Sequence, residues 1–406
     1  MLLGLIAGLV AGVAAHHLWG DAPALERVVR NVTEPAGKIF LRLLFMLVVP
    51  LIVSALALGV SGLGDLRRLG RIGLKTLLYT IVVSSIAVLI GIGLVNLFKP
   101  GQGLDPDLAQ RLPRGVPIPA APAAGTTGVD FLVGLIPNNP IRAMADGDML
   151  AVMVFALFLG IGLAITRSEA ARRLEEALQG LYDVVMRLLG LVLEAAPIGV
   201  ACLLFSLTAR LGVGVLAQLG AYVLVVLLGL AIHQFVVYSI VVGWLGGMSP
   251  VRFFRGIRTA MLTAFSTASS NATLPTSLMV AERQLALPPH VSRFVLTLGS
   301  TANQNGTALF EGVTVLFLAQ FYGIDLSLSQ QLMVVTICIL GGVGTAGVPA
   351  GSIPVVVMIL GMVGIPAEGI GMILGVDRFL DMCRTTLNVT GDLAAAVVVA
   401  RGEPDA

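Results

Sequence analysis

The sequence predicts an all-α polytopic membrane protein, interrupted by two re-entrant helical hairpins arranged as inverted repeats. Three observations lead there. Of 406 residues, 57% are hydrophobic and only 12% charged, whereas soluble chains carry about 25% charged residues. The stretch 376–392, VDRFLDMCRTTLNVTGD, holds five charged side chains between the uncharged runs GIGMILG (369–375) and LAAAVVVA (393–400). Finally, two apolar segments in the second half are each broken by a matching tract of small residues.

Taken in order, nearly uncharged runs lie at 2–19, 43–64, 76–98, 149–166, 188–209 and 211–251, each long enough for the roughly 30 Å of a bilayer core. Glu194 and Pro197 interrupt the fifth, and His233 in the sixth reads as a core histidine. The first run has no basic flank before it, so it reads as a membrane helix rather than a cleaved signal peptide. Segment 99–146 is polar and rich in proline (LPRGVPIPAAPAAG), as an extramembrane loop with polyproline character would be. Short-loop cations cluster at Arg67, Arg68, Arg71 and Lys75, at Arg167, Arg172 and Arg173, and at Arg252, Arg255 and Arg258. Alternating spans put all three clusters on one side, which assigns cytoplasmic termini and a multi-pass protein of the cell's inner (plasma) membrane. The net charge of +2 is small and scattered, so nothing points to nucleic acid. Cys202, Cys338 and Cys383 sit in apolar surroundings without metal-ligand spacing and read as small hydrophobes.

The repeat lies at Ser269–Pro275 (SSNATLP) and Gly342–Pro349 (GVGTAGVP), and a polar cluster follows 28 residues after each proline, beginning at Asn303 and Asp377. A long apolar segment with a small-residue break suits a hairpin that enters the membrane and turns back, tolerable only where its tip lines a polar cavity. Two such segments point to a transporter binding site.

On a helix, Asp377, Asp381, Arg384, Asn388 and Asp392 step by 4, 3, 4 and 4 residues, forming a stripe roughly 80° wide and about 22 Å long. A charge at bilayer depth costs at least about 2.5–3.5 kcal/mol, and an Asp381–Arg384 pair at i, i+3 returns only about 0.2–0.5 kcal/mol. A functional reason is therefore required. Arg384 suits a carboxylate and Asp381 a cationic group. Backbone N–H groups and the hydroxyls of Ser269, Ser270 and Thr345 at the tips suit a carboxylate. Around 303–307, Gly306 is expected to let the helix unwind. Freed carbonyls there, with Asn388 and Asp392, suit a hard cation such as Na⁺.

On LGSTANQNGTALFEG (298–312), GGVGTAGVPAG (341–351) and VDRFLDMCRTTLNVTGDL (376–393), the chain resembles the glutamate transporter homologues, the dicarboxylate/amino acid:cation symporter family. The resemblance runs the whole chain. It implies eight transmembrane helices plus two re-entrant hairpins, a homotrimer, and an elevator mechanism that carries acidic amino acids on a Na⁺ or H⁺ gradient. By domain it implies scaffold spans one and two at 1–66, transport-domain span three at 67–98, an extracellular loop at 99–146, scaffold spans four and five at 147–210, and a transport core at 211–406.

By position it assigns Asp381 to the substrate amino group and Arg384 to a side-chain carboxylate, with Ser270, Thr307, Val348, Thr385 and Asn388 as further substrate contacts. It implies one Na⁺ at Gly299, Asn303, Asn388 and Asp392, and another at Gly342, Val343 and Thr345. Ala268 stands where archaeal members carry an arginine. Arg378 matches bacterial members instead and is expected to support the site carboxylates. The family pattern Asn-Met-Asp-Gly-Thr is altered to Asn303-Gln304-Asn305-Gly306-Thr307. The third Na⁺ uses that aspartate with a tyrosine and a threonine of span three, aligned here with Thr80 and Val83. One or two Na⁺ sites are therefore expected, with proton coupling through a carboxylate such as Asp377 or Glu311 as a further route. Within the fold, a C4-dicarboxylate carrier and a neutral amino acid symporter are the alternatives. Asp381 would repel a dianion, and a neutral substrate has no use for Arg384. An intramembrane aspartyl protease would need Gly-x-Gly-Asp, which Thr390-Gly391-Asp392 lacks, and a passive channel is separated from a carrier by gradient-driven uptake. No enzymatic reading competes.

Overall fold

Apolar composition favours long helices, which satisfy every backbone polar group within one segment, and helices are what form. A computed structural model describes residues 2–20, 22–61, 66–103, 136–146, 149–211, 214–344 and 351–402, and these contain no strand. The helices are α1 (Leu2–Trp19), α2 (Glu34–Ser61), α3 (Leu66–Phe98), α4 (Met149–Ile165), α5 (Glu169–Glu194), α6 (Ala196–Leu211) and α7 (Gly214–Ile232). After them come α8 (Pro250–Thr267), α9 (Ser270–Arg283), α10 (Pro289–Ala302), α11 (Asn305–Phe321), α12 (Leu328–Gly344), α13 (Ile353–Met362) and α14 (Ile370–Ala400). Among the described residues, Pro23–Leu58, Ile72–Phe98 and Ala217–Leu245 are each long and apolar enough to cross a membrane. The bent pair α5–α6 adds a fourth candidate.

Several expectations are revised in detail. The run at 188–209 belongs to a longer unit. Helix α5 starts at Glu169, bends by 55° near Ala195 and continues as α6. Counting apolar runs misses its first half because Arg172, Glu175 and Glu176 give that half a polar face. Segment 136–146 of the Pro-rich loop carries a short helix, Pro140–Asp146. Past α7 the chain stays helical but widens into π-turns at His233–Val237 and Val241–Leu245, on either side of Tyr238–Ile240.

The first interrupted segment folds as the helix pair α8 and α9, which pack on each other. Its break is at Ala268 and Ser269, not across Ser269–Pro275, and Pro275 is inside α9. Ala268 takes the left-handed conformation, with φ of 50°, and reverses the chain. Ser269 then caps α9, its Oγ accepting from the Ala272 N–H at 3.2 Å. This is the standard use of serine at a helix start, worth about 1 kcal/mol. In the second segment Gly341–Gly344 are helical, forming the end of α12, while residues 345–350 lie outside the described residues.

Helix α11 is the centre of the molecule. Every residue from Asn305 to Ala319 is buried, and α3, α7, α12, α13 and α14 all pack on it. Helix α14 is ringed by α3 and by α6 to α11. Its polar stripe is thus enclosed by protein and kept from lipid, as the burial cost of charge requires.

Candidate functional site

All five side chains of the α14 stripe, Asp377, Asp381, Arg384, Asn388 and Asp392, are buried. Arg384 is only 1% exposed. Its Nη2 meets Asp381 Oδ1 at 2.8 Å and Asp377 Oδ1 at 3.0 Å. Phe310 of α11 covers one face of the guanidinium, with Cζ 3.7 Å from the ring centroid, a cation–π contact strengthened by the absence of water. Nε and Nη1 are buried and have no hydrogen-bond partner. A buried charged donor left unmade is costly, and these two donors have the geometry that suits a carboxylate acceptor. Arg378 is exposed, and the buried cation facing Asp377 is Arg384.

Helices α10 and α11 are separated by Asn303 and Gln304, whose ψ values of 68° and 58° depart from helical geometry. The unwinding falls there rather than at Gly306, which is helical in α11. Gly306 serves close approach instead. A Cβ on it would lie 2.9 Å from the Arg384 carbonyl oxygen and 3.1 Å from Asn388 Oδ1.

Carboxamides satisfy the open helix ends. Asn388 Oδ1 accepts from the Gly306 N–H at 2.7 Å, and its Nδ2 donates to Gln304 Oε1 at 2.6 Å and Thr307 Oγ1 at 3.2 Å. Gln304 Nε2 donates to the Ser300 carbonyl at 3.0 Å. Such partners are what the first N–H groups of a helix lack.

On the α10 side of the break, Asn303 Nδ2 donates to Asp392 Oδ1 at 2.9 Å, and Asn303 Oδ1 has no partner. Gly299 lets the carboxylate in, since a Cβ there would lie 2.6 Å from Asp392 Oδ1. A buried carboxylate beside an unused amide oxygen is a donor set that fits a hard cation such as Na⁺.

The remaining expected residues are placed as follows. Ser270, the first residue of α9, is buried with its Oγ unpartnered. Thr385 is buried on α14 beside Arg384. Gly342 and Val343 lie in the last turn of α12, where carbonyls lack intrahelical partners. Thr345 and Val348 fall outside the described residues.

The sequence profile of the sodium:dicarboxylate symporter family matches residues 1–402. The chain belongs to that family. It is a family of cation-coupled membrane symporters, not of enzymes. The chain is 33% identical to the proton/sodium-glutamate symport protein of Bacillus subtilis (strain 168), over 99% of this chain and 92% of that protein. It is 34% identical to the proton/glutamate-aspartate symporter of Escherichia coli (strain K12), over 99% and 92%. It is also 33% identical to the C4-dicarboxylate transport protein of Rhodospirillum rubrum, over 98% and 87%.

In this symporter chain the sequence reading overlooked Phe310, Ser84 and Tyr238, which look like ordinary core residues at helical spacing. The sequence marks Glu311 as a carboxylate suited to proton coupling. It is fully buried on α11, and both carboxyl oxygens lack hydrogen-bond partners. A Cβ on Gly341 of α12 would come within 3.2 Å of Glu311 Oε2.

Proposed function

We propose that this chain is a secondary active symporter that takes up acidic amino acids, aspartate or glutamate, on a Na⁺ or H⁺ gradient. The observation that carries the reading is Arg384, held by one nitrogen between two aspartates while two buried donors go unused. Asp377, Asp381 and Arg384 together carry a formal charge of −1. A ligand bringing both an ammonium and a side-chain carboxylate complements that set, with the ammonium toward Asp381 and the carboxylate on Arg384. A C4-dicarboxylate brings two negative charges and nothing for Asp381, and the names of the glutamate symporters agree with the first choice. In this reading Thr385, Asn388, Thr307, Ser270 and Val348 complete the substrate shell.

One Na⁺ is assigned to Gly299, Asn303, Asn388 and Asp392, supported by the unused Asn303 oxygen. A second is assigned to the α12 carbonyls at Gly342 and Val343 with Thr345. Glu311 is the proton carrier if uptake is proton-coupled, because it is the buried carboxylate with neither a cation nor a hydrogen bond on its oxygens.

The mechanical reading is an elevator in a homotrimer, with eight spans and two hairpins, α8–α9 and α12–α13, in the inner membrane with cytoplasmic termini. The scaffold is 1–66 and 147–210, and the moving part 67–98 and 211–406. This division is supported by the way α1, α2, α4, α5 and α6 pack largely among themselves, while α3 and α7 to α14 gather around α11 and α14.

The test is uptake of radiolabelled aspartate into liposomes under separate Na⁺ and H⁺ gradients. Accumulation under one gradient or both, and none with both dissipated, is expected. Equilibration without accumulation means a passive pore.

A further inference from the structure

A second buried polar cluster lies on the other side of the α10–α11 break, around Asn305. Ser84 Oγ of α3 donates to Asn305 Oδ1 at 2.6 Å, and Asn305 Nδ2 donates to Tyr238 Oη at 3.0 Å. Tyr238 in turn donates to the Leu387 carbonyl of α14 at 3.2 Å. Beside this chain, Tyr79 of α3 donates to the Gly391 carbonyl at 3.3 Å.

Every hydrogen bond in the chain runs in one direction, which fixes the orientation of the Asn305 carboxamide and uses both its ends. All the members are neutral, and Asn305 and Tyr238 are fully buried. The residue that closes the chain is aimed by its backbone. Tyr238 stands between the two π-turns, a helix defect that recurs at functional positions. The His233 ring packs edge-on against it at 4.8 Å between centroids. Gly391 makes the space, because a Cβ there would strike Tyr238 Oη and lie 3.0 Å from Asn305 Nδ2.

This is where family resemblance implies a third Na⁺, and the residues present do not fit one. A desolvated cation needs oxygens with free lone pairs and a formal negative charge close by. Asn305 has no charge, its oxygen is already engaged, and its other end presents an N–H. The Thr80 and Val83 positions do not supply the contacts seen; Ser84 and Tyr238 do. At Asp392, the residue after Gly391 and so about 100° round α14, the opposite holds, with a carboxylate and an unused amide oxygen.

We infer that the Asn305 position binds no cation, and that the Tyr238 hydroxyl takes an ion's place in tying α3, the helical turn Tyr238–Ile240, α11 and α14 together at the break. The inference rests on the symporter reading for its meaning, since it leaves at most two Na⁺ per transport cycle. Tyr238 is on this account a positioning residue, holding Asn305 and the start of α11 in register with Leu387.

The test compares thermal unfolding midpoints of the purified full-length protein in NaCl and in choline chloride across a sodium titration. Tyr238→Phe and Ser84→Ala are expected to lower the midpoint equally in the two salts and to leave the sodium concentration dependence of the wild type unchanged. Asn305→Asp is expected to lower the midpoint in choline and to recover it in sodium, creating a sodium response larger than the wild type's. A merely structural role would not move that response.

The inference is overturned if Tyr238→Phe or Ser84→Ala weakens the sodium response, if neither lowers the midpoint, or if Asn305→Asp gains no sodium response. Asp392→Asn separates the two readings. It should weaken the wild-type sodium response by one ion, and an unchanged response would sink the cation assignment at Asp392 while leaving the Tyr238 chain untouched.

Discussion

Two buried polar clusters lie along α11 and α14, and they are finished to different degrees. Around Asn305 every polar end that meets its neighbour is used, and no member carries a charge. Around Arg384 three charged groups are gathered and two guanidinium donors stay unused; Ser270 and Asn303 elsewhere also keep unpartnered oxygens. Burial is equal in both, so desolvation alone does not separate them. Satisfaction does. A completed network rigidifies the fold, whereas an incomplete one retains binding energy for something that arrives later.

The comparison breaks most visibly at Arg384. Arg384→Cys is expected to cost about 2–5 kcal/mol of acidic amino acid affinity, the range for truncating one partner of a buried charge pair. Isothermal titration with aspartate checks it, and unchanged affinity would remove the carboxylate assignment. Asp392→Asn comes next, with a loss on the order of 1.5–3 kcal/mol in sodium-dependent binding, as for a hydrogen bond to a charged group. A substrate titration at several sodium concentrations, read as a log–log slope one lower than the wild type's, is the measurement.

On the completed side, Gly391→Ala pushes a methyl against Tyr238 Oη and is expected to destabilise by about 1–3 kcal/mol, the usual effect of overpacking. Its signature is a lower unfolding midpoint in any salt, with sodium dependence retained. Glu311→Gln sharpens the incomplete side in another way. The variant should fold and bind sodium normally while uptake driven by a pH gradient alone disappears, and persistent proton-driven accumulation would exclude Glu311 as the carrier. The smallest effect belongs to neither cluster. Arg293 pairs with Glu282 at 2.9 Å on the surface, with the arginine 67% exposed, so Arg293→Ala should shift stability by less than about 1 kcal/mol.

Much was legible from the sequence because the relevant signals are local. Hydrophobic runs and the stripe on α14 depend on period and composition alone, and charge at bilayer depth is expensive enough to announce a site. The helix break between α10 and α11 was legible as a region, since a run of carboxamides before Gly306 competes with the backbone for hydrogen bonds. Its location was not. The chain opens at Asn303 and Gln304 because Asn388 and Asp392, more than 80 residues later, supply the partners that the open ends require. The tip of α8–α9 shifted for a similar reason, with Ala268 turning and Ser269 capping while Pro275 stayed helical.

By itself, then, the sequence determined the membrane class, the paired interruptions, and the buried acid–base stripe with Arg384 at its centre, all consequences of residue type and spacing along one chain. Tertiary structure alone decided which polar atoms are satisfied. Ser84, Tyr238 and Phe310 come from helices whose own patterns mark them as core, and they meet Asn305 and Arg384 only when α3, the turn Tyr238–Ile240, α11 and α14 pack. Hydrogen bonding and cation–π contact act over about 3–6 Å, a distance that sequence separation does not encode. The contrast between a completed lock and an unfinished site therefore comes into being only with the packed helices.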